Sequence, residues 1–135
     1  PVGKTLQDQI TTLNNNLAAY KIINFGKDIS VAGDQVITSV GFKPRAVMFL
    51  ATIPGAAGYM SIGVGDATTH LCLASYHNMV ANSFDITANE LRFYGTTGNS
   101  VTAKITAISD TGFTLTWTKE GTMTGTANII ALCFK

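Results

Sequence analysis

Charge is what this sequence most lacks. Only 13% of its 135 residues are Asp, Glu, Lys or Arg, against about 25% in an average soluble domain. A chain so poor in charge struggles to cover a monomer's surface, which predicts that part of that surface is buried against other subunits. The net charge of +1 gives no strong pull towards nucleic acid or an acidic membrane, so neither is an expected partner. Long apolar runs are missing too. Ala46 to Ala51, as long as any, is strand-sized and far short of the roughly 18 residues that span a bilayer, so membrane insertion is not expected. Cysteine is limited to Cys72 and Cys133, each with apolar neighbours. Those neighbours fit buried thiols acting as small hydrophobes, and a disulfide between the two stays open. The chain opens on Pro1-Val2-Gly3 with no Met and no signal peptide, read here as the cut end of a longer protein.

The constellations of enzyme chemistry are absent as well. His70-Leu71-Cys72, with His77 seven residues on, is the one local cluster of metal-ligand types, and two or three ligands on a strand rarely make a site. Ser61 lies beside Gly63-Val64-Gly65, which is not the Gly-x-Ser-x-Gly elbow of a nucleophile. Asp66, Asp85, Glu90, Asp110 and Glu120 fall at predicted turns or strand ends, where acids serve turn geometry rather than paired-carboxylate hydrolysis. No phosphate-cradling loop precedes a helix. The expectation is a non-enzymatic protein without metal or cofactor, whose 135 residues allow one core.

What is present begins with a seam. Leu6, Ile10, Leu13, Leu17 and Tyr20 are spaced 4, 3, 4 and 3, a heptad pattern embedded in polar residues. It predicts a helix over residues 1–21 that either packs on its own domain or ends a coiled coil; the coiled coil is favoured, with these five residues as the assembly contacts. From residue 22 to 135 the pattern changes to period two with frequent Gly, Asp and Asn turns, which predicts an antiparallel β-sandwich. Expected strands include 22–25, 28–31, 35–40, 59–64, 90–94, 101–108 and 113–118. Phe113, Leu115 and Trp117 alternate with threonines, as do Val101, Ala103, Ile105 and Ala107 with Thr102, Lys104 and Thr106, each marking one buried and one open face. Residues 129–134 are continuously apolar, which predicts a last strand covered on both faces, by core on one side and a neighbouring subunit on the other. Tyr59, Tyr76, His77, Asn78, Asn82, Arg92 and Tyr94 fall in predicted loops or on the strands beside them. Their aromatic faces and planar hydrogen-bonding groups are of the kind that shallow sugar sites use.

Three segments resemble the C-terminal head domains of tailed-bacteriophage fibre and receptor-binding proteins. Val40 to Phe49 resembles the Gly-Phe-x-Pro-x-x-Val-x-Phe stretch of phage structural proteins, Tyr59 to Asp66 is similar to the strand that follows it, and Ala103 to Thr118 with Thr124 to Phe134 resembles the closing hairpin and final strand. The hairpin is also similar, more weakly, to H-type lectins. The resemblance implies a homotrimeric head on a short fibre shaft, located in the virion. Its partners would be a host surface glycan or other receptor and, through a preceding region, other virion proteins. A ligand-free head fibre, collar or decoration protein is the other implied role.

Overall fold

The computed structural model describes residues 2–17, 20–55, 59–75 and 84–135, and of residues 2, 4, 15–17 and 84–86 the backbone alone. Among the described residues it is mostly antiparallel β-sheet with one helix. Helix α1 runs Val2–Leu17. Its seam is open: Leu6, Ile10 and Leu13 are 57%, 44% and 57% exposed, so these three side chains are not buried on the strands. Tyr20, expected as the last seam position, instead opens β1, Tyr20–Asp28, and pairs with Phe134. The helix-to-strand switch therefore comes before residue 20 rather than at 21. Tyr20 opens an alternation in which Ile23 turns inward and Tyr20 and Ile22 outward, and strand pairing overrides a heptad spacing that covers only two heptads.

Nine further strands follow: β2 Gly33–Ile37, β3 Ala46–Thr52, β4 Met60–Gly65, β5 His70–Ser75, β6 Phe84–Thr87, β7 Leu91–Thr96, β8 Asn99–Ser109, β9 Gly112–Glu120 and β10 Thr126–Phe134. One sheet has the order β1-β10-β3-β4-β5-β6 and the other β2-β9-β8-β7. Their inner faces share one core, in which Phe113 meets Phe49 edge to face at 5.6 Å and Phe25 at 6.4 Å. Trp117 is buried as its alternation predicts, with its indole N–H donated to Gln35 Oε1 at 3.0 Å.

Two local expectations change. Expected strand 22–25 runs on to Asp28, because Gly26 pairs with Asn128 inside β1, while residues 29–31, expected as strand, leave the sheet. The turn comes later, where Asp28 Oδ1 accepts the N–H of Ser30 at 2.9 Å, a local side-chain turn that ends the strand. Ala107 does not continue the buried face of β8. Ile105 pairs with Leu115 but Ala107 with Thr114, so an extra residue bulges the strand and turns Ala107 outward. Strand β10 has core on one face, as expected, and an outward face that this chain leaves open. Ala127, Ile129, Ala131 and Cys133 face the core, while Ile130 and Phe134 are exposed.

Cys72 and Cys133 are free and buried. Strands β3 and β4 lie between theirs, a separation of about 14 Å at about 4.8 Å per strand, whereas a disulfide needs Cα atoms within about 7 Å. The open question of a disulfide closes on two thiols.

Candidate functional site

The most chemically loaded place in the fold is the corner where the two sheets meet. Strand β4 turns Ser61, Gly63 and Gly65 inward at alternate positions. A Cβ on Gly63 would lie 1.7 Å from the Glu90 carbonyl oxygen, and one on Gly65 would lie 2.1 Å from Glu90 Oε1. Only bare backbone lets the chain leading into β7 lie flush on β4. Ser61 Oγ then accepts the Arg92 N–H at 3.0 Å. A serine and two glycines thus join the edge of the four-stranded sheet to the six-stranded one.

Glu90 is the centre of this corner. It is fully buried, and each carboxylate oxygen is used. Oε1 lies 2.5 Å from His70 Nδ1, and Oε2 accepts the Ile105 N–H at 2.8 Å. Ile105 lies two residues beyond the last β7–β8 pair, Leu91 with Ala103, so the carboxylate takes the place of the strand that has run out. Burial pushes the Glu90 carboxyl up from its ordinary value, and the His70 hydrogen bond opposes that push. On the turn before His70, Asp66 Oδ1 accepts the N–H groups of Thr68 and Thr69, both at 2.7 Å. Those bonds hold its carboxyl below the usual range.

Asp66 therefore serves turn geometry, as expected of the acids. Glu90 does not. Expected at a strand end, it instead reaches across twenty positions to His70, and the two close into one buried pair. The signal available was Ser-x-Gly-x-Gly on a strand, whose missing side chains imply that another backbone presses there.

Chemically the corner is a clamp. The carboxylate and imidazole are engaged with each other and covered by β4. Nearby Cys72 Sγ lies 3.2 Å from Thr87 Oγ1, and burial pushes its thiol up, away from the nucleophilic thiolate. Among the described residues no group of three His, Cys, Asp or Glu could hold a metal ion.

The candidate glycan residues are distributed differently. Tyr76, His77, Asn78 and Asn82 lie outside the described residues. Arg92 and Tyr94 are on strand β7, two positions apart on one face, with the guanidinium 4.9 Å from the ring centroid. Half-buried Tyr59 packs against the core and borders a recess of 180 Å³ with Gly95, Thr96, Asn99, Thr122 and Met123. Polar groups of that recess bind one another: Asn99 Oδ1 accepts the Thr122 N–H at 2.8 Å, and Asn99 Nδ2 donates to Thr96 Oγ1 at 3.1 Å.

Compared with known proteins, the chain matches no family model, no curated protein and no solved structure.

Proposed function

We propose that this chain is the head of a bacteriophage fibre or related receptor-binding protein, a β-sandwich that trimerises and attaches to a host surface glycan. The observation that carries the reading is the open seam of α1. A 16-residue helix is marginal by itself in water, and its exposed Leu6, Ile10 and Leu13 call for the same residues of other copies in a coiled coil. A helical bundle leading straight into an all-β body is the organisation implied by the resemblance of residues 40–135 to phage fibre heads. Glycan contact is assigned to the aromatic and polar groups around Tyr59, Tyr76, His77, Asn78, Arg92 and Tyr94, whose residue types suit shallow sugar sites.

The test is adsorption of the purified protein to host cells, together with a glycan array. Binding that is lost on joint replacement of Tyr76, His77 and Asn78 by alanine supports attachment. A second reading, a virion component without a ligand, is favoured by the mutual engagement of Arg92 and Tyr94, and clean negatives against the native host would establish it.

A further inference from the structure

The outward face of the six-stranded sheet is apolar, continuous and open. Strand register places Ile22, Leu132, Met48, Val64 and Leu71 in one row across five strands. A second row, Ile130, Leu50, Ile62 and Leu73, runs beside it. Leu50, Ile130 and Leu71 are each about half exposed. The chain has nine basic and eight acidic residues, yet none occupies an outward position on β10, β3, β4 or β5. The opposite sheet shows what this fold does with a solvated face: Thr106, Thr114, Thr116, Lys104 and Asp34 lie outward there, with Thr116 Oγ1 donating to Asp34 Oδ1 at 2.6 Å.

We infer that this apolar face is where copies of the chain pack on one another in the assembly proposed above, on which the inference rests. Continuity with the helix is the first argument. Leu17 ends α1 and Tyr20 begins β1, so bundling the helices brings the Tyr20–Phe134 ends of the sheets to within about 10 Å of their own helix ends, at about 3.5 Å per residue. At that range the copies face one another at high effective concentration. Extent is the second. Five strands at about 4.8 Å spacing make the face about 20 Å wide, and monomers rarely leave a contiguous apolar patch beyond a few hundred Å² in water. Its anatomy is the third. A hollow of 660 Å³ between Leu50, Met60 and Ile130 is edged by Asn24, Thr52 and Asn128, an apolar centre with an uncharged polar rim, as subunit interfaces have. A lipid surface fits less well, because no Lys or Arg stands on these four strands to meet headgroups.

The experiment uses the whole chain. Leu73→Cys and Thr116→Cys are placed on the two outward faces, with Cys72 and Cys133 buried, and the rate of labelling by a bulky maleimide is followed beside the mass from light scattering. The expected result is a multiple of 14.3 kDa and labelling at Leu73→Cys at least tenfold slower than at Thr116→Cys. Equal rates in a multimer overturn the face while leaving assembly by α1 standing. A monomeric mass overturns both. Protection that appears only with phosphatidylcholine vesicles overturns it in favour of a lipid surface. A second variant, Leu50→Lys with Ile130→Lys, is expected to weaken association at least tenfold while a Thr116→Lys control leaves the mass unchanged; unchanged association in the double variant overturns the proposal.

Discussion

Glu90 Oε1 and His70 Nδ1 meet at 2.5 Å across the corner between the two sheets, with the His70 side chain 9% exposed and Glu90 not at all. Truncating one partner leaves the other buried without its counterpart, and here it also orphans the Ile105 N–H. Glu90→Ala is expected to cost about 3 kcal/mol in urea unfolding, the scale for breaking a buried pair. Glu90→Gln, which keeps the shape and a carbonyl acceptor, should cost less than half of that.

The same pair sets a pH dependence. Burial raises the Glu90 carboxyl above 4.5 in the folded chain. Above pH 4.5 the unfolded chain has released this proton while the folded chain still holds it, so the folded state binds more protons and stability falls as pH rises. The stability contributed by Glu90 is thus complete below pH 4.5 and is lost as pH climbs through the folded-state value. Unfolding of the native protein and of Glu90→Gln from pH 4 to 7 should show the native advantage shrinking over that window. An advantage that grows with pH would contradict the assignment.

Gly63 predicts a steric result. A methyl group there meets the Glu90 carbonyl oxygen, which belongs to backbone and cannot swing away. Gly63→Ala should destabilise by about 3 kcal/mol, the upper range for overpacking, or roughly 10 °C in Tm for a domain of this size. Gly3→Ala on α1, where nothing lies within 4 Å, should be neutral or gain up to about 1 kcal/mol of helix propensity. Equal melting temperatures for the two variants would show that β4 and Glu90 are not in contact.

Exposure of the α1 seam predicts a separation of assembly from folding. Ile10→Ser with Leu13→Ser should lower the mass seen by light scattering and leave the β circular dichroism largely unchanged. Loss of the β signal would place the helix in the core.

The thiols give a direct chemical check. Cys133 is pushed up to about 11 by burial and Cys72 is raised as well. A thiol reagent at pH 8 should find essentially no reactive group in the native protein and two after unfolding. One disulfide and no free thiol would contradict the strand order.

Much of this was legible in order along the chain. Alternation at 113–117 marked β9 and the burial of Trp117, because a strand's period of two is written residue by residue. The spacing from Leu6 to Leu13 marked a helix for the same kind of reason. The poverty of charge pointed to covered surface, and the open apolar face of the six-stranded sheet is where that poverty is concentrated. What stayed hidden depended on register. The extra residue that turns Ala107 outward adds one position on β8 without any signature in β8 itself. Tyr20 kept a heptad spacing that strand pairing with Phe134 overruled.

Local sequence, then, determined the element types, the alternating faces and the identity of the core side chains, since each follows from neighbours a few positions apart. Tertiary structure decided which strands sit side by side. It thereby decided that Met48, Val64, Leu71 and Leu132, scattered over 85 positions, form one row on one face. It also decided that Glu90 finds His70. Those are long-range pairings, and the entropy of closing such loops is overcome only when the whole core forms at once.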